Sequence, residues 1–232
     1  MARSKPLGID LFCGLGGFSE GMLAEGFDVV GFDLERHQYG DAQYPAQLVL
    51  QDVLTIHGRQ FKNAALIVAS PPCQSFAYMA MPWARAKQQA REYETGVRDV
   101  RQLTALFDAC FRIQREASEA AGHHIPMVVE NVRGAQRWVG RARGKFGSFY
   151  LWGDAPALMP CWREGEGVKQ GGDWFNAAQP SISRMCGSKS PARKAASAAI
   201  AKIPFVLAQW VARTYRGENK MQTRMGVDDG PR

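Results

Sequence analysis

No stretch of the 232-residue sequence stays apolar for the roughly 20 residues that a membrane-spanning helix requires. Residues 1–7 are basic and lead straight into Gly8-Ile9-Asp10, without the apolar core of a secretory signal. These two absences predict a cytoplasmic protein with no membrane attachment. Cysteine is sparse: Cys13, Cys73, Cys110, Cys161 and Cys186 make an odd count of five, and no Cys-x-x-Cys pair occurs. Neither a disulfide framework nor a metal site is expected. Most of these thiols should be small buried hydrophobes, and context must show whether one is a nucleophile. No Gly-x-x-x-x-Gly-Lys-Ser/Thr loop occurs, so this triphosphate cradle is excluded. Repeats and low-complexity tracts are missing as well, so the length fits one domain with a small appendage.

What is present is an ordinary globular mixture, 46% hydrophobic and 22% charged, with enough apolar residues for a core. The formal charge is +7 and the isoelectric point about 9.3. The cations are unevenly spread. No acid lies between Asp173 and Glu218, a stretch that holds Arg184, Lys189, Arg193, Lys194, Lys202, Arg213 and Arg216. Residues 131–153 are also acid-free and carry Arg133, Arg137, Arg141, Arg143 and Lys145. Such stretches suit a phosphate backbone, where each cation displaces a counterion, and equally a solvated basic surface.

Apolar runs at 7–12, 28–32, 48–50, 64–69, 126–129 and 148–152 read as strands. Residues 18–25 read as a helix, and 97–121 as a long one with Leu103, Leu106, Phe107, Cys110 and Ile113 at helical spacing. Strands alternating with helices predict an α/β fold with a doubly wound, mostly parallel sheet. On this reading residues 1–154 form the catalytic and cofactor-binding domain. Residues 155–191, rich in Gly, Pro, Trp and Ser, form a small irregular insertion. Residues 192–216 return to the domain as a helix interrupted at Pro204, and 217–232 form a loose tail.

In such a sheet ligands bind beyond the carboxyl ends of the strands. Asp10-Leu11-Phe12-Cys13-Gly14-Leu15-Gly16-Gly17 lies there, and its glycines permit a tight turn against a ligand. Asp33 closes the next strand, where a carboxylate can accept ribose hydroxyls. No cation in the loop meets a pyrophosphate, so a phosphate-free nucleoside such as S-adenosylmethionine fits better than NAD or ATP. Asp52 can accept from an adenine amino group. Ser70-Pro71-Pro72-Cys73-Gln74 holds a thiol in a loop stiffened by two prolines. Glu130 ends an apolar strand in Val128-Val129-Glu130-Asn131-Val132, where desolvation should raise its pKa and fit it to share a proton. Residues 75–96, with Phe76, Tyr78, Trp83, Arg85 and Lys87, read as a mobile lid.

In order and spacing these motifs resemble the cytosine-C5 DNA methyltransferase family, in its short phage and prophage form. The likeness covers residues 7–153 and, more loosely, 195–215. It implies a Rossmann-like fold that binds S-adenosyl-L-methionine through Asp10, Phe12, Cys13, Gly14, Leu15, Gly16, Gly17, Asp33, Leu34, Asp52, Val53 and Pro71. Cys73 becomes the nucleophile that adds to carbon 6 of a flipped cytosine, and Glu130 the group that holds or protonates ring nitrogen 3. Contacts to double-stranded DNA fall to Gln74, Ser75, Arg85, Arg133, Arg141, Arg143, Arg184 and Lys189, and the insertion becomes the target-recognition element. The expected setting is the cytoplasm of a bacterium or phage-infected host, and the expected state a monomer. Two departures stand out. The family's Gln-x-Arg-x-Arg segment is replaced by Gly144-Lys145-Phe146-Gly147-Ser148, which leaves Arg143 as the candidate arginine. Its Gly-Asn-x-Val-Pro motif reads Ile200-Ala201-Lys202-Ile203-Pro204, with Ala201 where Asn is expected. Four other readings stay open: an RNA cytosine methyltransferase, an exocyclic-amine methyltransferase, a non-catalytic DNA-binding module, and an NAD-dependent oxidoreductase.

Overall fold

The structure is a computed structural model, and it describes residues 4–77, 83–161 and 190–216. Its elements run β1 (Leu7–Leu11), α1 (Gly17–Ala24), β2 (Asp28–Asp33), β3 (Gln38–Tyr39), β4 (Ala42–Gln43) and β5 (Gln47–Leu50). Two 3-10 turns, Val53–Thr55 and Gly58–Phe61, lead to β6 (Ala64–Ala69), α2 (Trp83–Glu94) and α3 (Val100–Ala121). Then come β7 (Met127–Asn131), a 3-10 turn (Arg133–Ala135), α4 (Gln136–Val139), β8 (Gly144–Phe146), β9 (Phe149–Gly153), α5 (Pro191–Ala201) and α6 (Phe205–Arg216). Most of the insertion read at 155–191 and all of the tail at 217–232 lie outside the described residues, as do Arg184 and Lys189.

Seven strands form one sheet in the order β5-β2-β1-β6-β7-β9-β8. β5, β2, β1, β6 and β7 are parallel, whereas β9 runs antiparallel to β7 and β8 antiparallel to β9. The expected doubly wound, mostly parallel sheet is therefore present, with an antiparallel edge. Strand and helix do not alternate throughout. A two-stranded β3–β4 hairpin joins β2 to β5, and 3-10 turns join β5 to β6. These segments are too short for a helical repeat. The long helix starts at Val100, later than expected, because the Asp99 carboxylate accepts the Arg101 N–H at 2.9 Å and so ends the preceding loop.

Successive side chains of a strand face opposite ways, and both faces here are covered. Ile9, Leu11, Ile67, Met127 and Val129 pack with Phe107, Cys110, Ile113 and Ala117 of α3. Val29, Leu66, Val68, Val128 and Leu151 pack with Phe18 and Met22 of α1 and with Leu207 and Val211 of α6. Each fully buried aliphatic side chain contributes roughly 1.5–3 kcal/mol. The two helices on the second face press so close that a Cβ at Gly21 would meet the Ala208 backbone. Among the described residues no single helix is long and apolar enough to cross a membrane. The bent pair α5–α6 passes that test by length and composition, yet the apolar face of α6 is buried in this core.

Candidate active site

The strand order reverses between β1 and β6. Neighbouring crossovers leave in opposite directions there and open a crevice at the carboxyl ends of the strands. The loop after β1 and the loop after β6 border it.

The strand read as 7–12 ends at Leu11. Phe12 has left the sheet and takes φ 58°, a left-handed conformation uncommon for a bulky side chain. Gly14 (φ 51°) and Gly16 (φ 76°) continue the turn into α1. The backbone is held from two sides. Cys13 N–H donates to Phe32 O at 3.2 Å, and Gly16 N–H to Cys13 O at 2.7 Å. Asp33 completes the frame, with Oδ2 accepting from Gly14 N–H at 2.9 Å and Oδ1 from Leu34 N–H at 2.8 Å. His37 Nε2 stands 3.6 Å from Asp33 Oδ1. A Cβ at Gly14 would meet nothing within 4 Å, so the loop is open there. Leu34, Leu50 and Leu54, large apolar side chains near the ends of β2 and β5, are 71%, 55% and 49% exposed. Leu15 and Val53 are buried. Asp52 caps a 3-10 turn, its Oδ1 accepting from Leu54 N–H at 2.9 Å. The loop is closed behind by Gly17, where a Cβ would meet the backbone of Ile203. The segment Ile200-Ala201-Lys202-Ile203-Pro204 thus lies against the glycine loop despite the replaced Asn. An open turn, an adjacent carboxylate and uncovered apolar side chains fit the adenosine end of S-adenosylmethionine.

The second loop is tied to its neighbours at two points and closed on itself at a third. Ser70 N–H donates to Leu11 O at 3.1 Å. Pro71 O accepts from Asn131 Nδ2 at 2.9 Å, and Asn131 is fully buried. Cys73 O accepts from Phe76 and Ala77 N–H, both at 2.9 Å. Cys73 itself is half-buried, and Gln74 and Ser75 are exposed. Glu130 sits one residue before Asn131 on β7 and is 3% exposed. Asn131 therefore links the strand end that carries Glu130 to the loop that carries Cys73. The other thiols differ. Cys13 and Cys110 are buried, and burial raises the pKa of both, which makes them inert. Cys161 is exposed outside the crevice loops, and Cys186 lies outside the described residues.

The reading of 75–96 as a lid needs correction at Phe76. It is 3% exposed and packs edge-on against Phe107, 6.5 Å between ring centroids, so it anchors the loop and cannot stack on a base. Much of the same segment is helix α2. That helix reaches α4 through a Tyr93–Trp138 ring contact at 5.5 Å and a Glu94–Arg137 ion pair. Trp83, Arg85 and Lys87 remain exposed, and Tyr78 lies outside the described residues. Arg133, Arg141 and Arg143 are exposed. Arg143 occupies a bulge. Its N–H donates to Leu151 O at 2.8 Å although the register pairs Leu151 with Gly144, so two residues oppose one. Leu151 in turn pairs with Glu130, which places Arg143 level with Glu130 two strands away. Tyr44 and Ser19, whose hydroxyls share a hydrogen bond at 2.7 Å, carry no local sequence signal.

The family profile of the C-5 cytosine-specific DNA methylases matches residues 8–136, from the glycine loop through the Glu130 strand end. The chain belongs to this family. A Type II methyltransferase, M.AplI of Arthrospira platensis, is 30% identical over 138 residues, 57% of this chain and 33% of that protein. The chain thus spans about a third of the length of the curated relative it matches. Among solved structures, Dnmt2 methyltransferase of S. pombe is 15% identical, with a TM-score of 0.36, over 59% of this chain and 37% of that one. The Entamoeba histolytica methyltransferase EhMeth is also 15% identical at 0.36, over 60% and 41%.

Proposed function

We propose that this chain methylates carbon 5 of cytosine in double-stranded DNA, with Cys73 as a covalent nucleophile and Glu130 as its acid partner. The observation that carries the reading is the tie between the Pro-Pro-Cys loop and the end of β7. A half-buried thiol on a proline-stiffened turn is fixed, through Asn131, to the strand end that holds a buried carboxyl group. S-adenosylmethionine, when bound, supplies an electrophilic methyl group. Asp33, Asp52, Phe12 and the residues from Cys13 to Gly17 would hold it, with Leu34, Val53 and Pro71 around them; Asp10, expected from the sequence to touch it, is 1% exposed and lies beneath the loop instead.

The rest of the chemistry belongs to the chain. The Cys73 thiolate adds to carbon 6 of a base swung out of the duplex, at a cost of roughly a few kcal/mol of unstacking. Glu130 gives a proton to ring nitrogen 3, which takes up the electron pair displaced by the new carbon–sulfur bond. Carbon 5 is now an enamine carbon and nucleophilic. After it is methylated, its proton leaves to a base, the carbon–sulfur bond breaks, and nitrogen 3 returns its proton to Glu130. Arg143, level with Glu130, is the candidate to hold the base. Exposed Gln74, Ser75, Arg85, Arg133 and Arg141 are assigned to the DNA backbone.

A duplex containing 5-fluorocytosine tests this, because fluorine cannot leave as a proton does. The chain with cofactor should form an adduct stable to denaturation. Cys73→Ser should abolish adduct and turnover, while Ser at Cys110, Cys161 or Cys186, none of which is placed in the site, should spare both. Methylation by Cys73→Ser at the wild-type rate would sink the mechanism.

A further inference from the structure

A buried hydrogen-bond chain lies beneath the glycine loop and takes no part in the chemistry above. Asp10, near the carboxyl end of β1, is 1% exposed. Its Oδ2 accepts from Ser19 Oγ at 2.6 Å, and Ser19 Oγ shares a further hydrogen bond with the Tyr44 hydroxyl at 2.7 Å. Asp10 Oδ1 is buried with no hydrogen-bond partner among the described residues. The chain joins β1, the first turn of α1 and the connection between β4 and β5.

Two glycines make room for the Tyr44 ring. A Cβ at Gly31 on β2 would collide with the phenol end of Tyr44 and come within 2.8 Å of Cys13 Sγ. A Cβ at Gly16 would strike Pro45 and come within 3.0 Å of Tyr44 Cδ2. The ring therefore fills the space bounded by Gly31, Cys13 and Gly16. It supports the part of the loop that Asp33 holds from the other side.

We propose that Tyr44 is a positioning residue for the cofactor loop, holding residues 13–17 in their binding conformation through its hydrogen bond to Ser19 and, beyond it, Asp10. The inference rests on reading that loop as the cofactor cradle. The ring alone supplies packing. The hydroxyl fixes Ser19, and Ser19 fixes a carboxyl group that would otherwise be free to change its rotamer or its charge. The groups facing Asp10 are Ser19 on α1, Tyr44, Cys13 and Asp33 at the end of β2. Burial pushes the Asp10 carboxyl up to about 7, with Ser19 opposing the rise and Asp33 adding to it. Its ionisation near neutrality should help the loop accept a cationic cofactor, so affinity should rise with pH there. Removing the hydroxyl takes away support for the ionised form and should move the inflection to higher pH.

Calorimetry of S-adenosylmethionine binding to the full chain at pH 6–8.5, with hydrogen exchange of the cofactor-free protein, tests this. In Tyr44→Phe the Kd should rise about 5–10-fold for one lost hydrogen bond, and the inflection should shift upward. Loop amides 13–17 should exchange faster, and turnover at saturating cofactor should fall less than affinity. A folded Tyr44→Phe with wild-type affinity, inflection and loop exchange would overturn the proposal. Ser19→Ala cuts the same link and keeps the ring, so it must give the same changes if Tyr44→Phe fails to fold, and a wild-type Kd there would also overturn it. Failure of the wild-type chain to bind the cofactor would instead remove the cradle reading, and this inference with it.

Discussion

Asp10 shows what one buried carboxyl group does to stability. Its carboxyl is raised from 3.8 to about 7, chiefly by burial. The folded chain therefore keeps this proton between pH 4 and 7 while the unfolded chain sheds it. The folded state binds more protons in that window, so this group's contribution to stability is full below pH 4 and is lost as pH rises to about 7. Asp10→Asn keeps the shape and an acceptor for Ser19 without the titration. Thermal unfolding of Asp10→Asn should lose less stability than wild type between pH 4 and 7, and the variant should melt higher at pH 8. Parallel curves for the two proteins would mean that Asp10 is ionised throughout. Single residues were unequally legible. Cys73 stood out because a thiol after two prolines is unusual, and Glu130 because it ends an apolar strand. Tyr44 did not, because its role depends on Gly16, Gly31, Ser19 and Asp10, which no local pattern connects to it. Phe76 was misread because an aromatic among polar residues looks exposed until Phe107 is placed beside it.

At the level of elements, the Pro-Pro-Cys loop and β7 act as one unit because Asn131 joins them. Asn131→Ala would leave the Pro71 carbonyl without its buried donor, at a cost of about 1–3 kcal/mol. It should slow adduct formation with 5-fluorocytosine by about tenfold or more, on the loss of roughly 1.4 kcal/mol of alignment. Cofactor affinity should stay close to wild type, since the glycine loop is tied elsewhere. Equal adduct rates in single-turnover assays would show that β6 and the prolines position the thiol without help. Elements with strong periodicity were readable. β6 is an apolar run stopped by Ser70-Pro71, and α3 places Phe107, Cys110 and Ile113 on one stripe. Hidden elements lacked such a signal. α2 buries only Ala86 and Ala90, so its polar surface looks like loop. β3 and β4 have two residues each, and β8 has three beginning with glycine.

At the scale of the whole molecule, the charge of +7 is the relevant quantity. Arg85, Arg133 and Arg141, the cations assigned to the DNA backbone, are all exposed. Phosphate contacts position a protein without reading sequence. Affinity for duplex DNA should therefore fall steeply with salt, with a log–log slope of about −0.9 for each phosphate neutralised. Base reading would fall to the 155–191 segment, whose candidate groups are Arg163, Lys169, Gln170, Asn176, Gln179, Arg184 and Lys189. These groups lie outside the described residues, and by its length and glycine content the segment is expected to present two or three of them, which predicts a target of about two to four base pairs. Methylome sequencing after expression decides this, and a strict six-base-pair site would refute it.

The packing of α6 on α1 also bears on how the chain is made. The glycine loop and α1 emerge from the ribosome ahead of their cover, because Leu207, Val211 and the Ile203 backbone come about 190 residues later. Until then Phe18 and Met22 have no partner helix, and the back of Gly17 is open. The cradle can take its final form only once α6 has emerged. Pairings so distant in sequence form slowly and leave sticky surface uncovered while the ribosome is still at work. The glycine loop and α1 thus wait, exposed, for α6, and a nascent chain stalled before α6 should bind chaperones that recognise apolar surface.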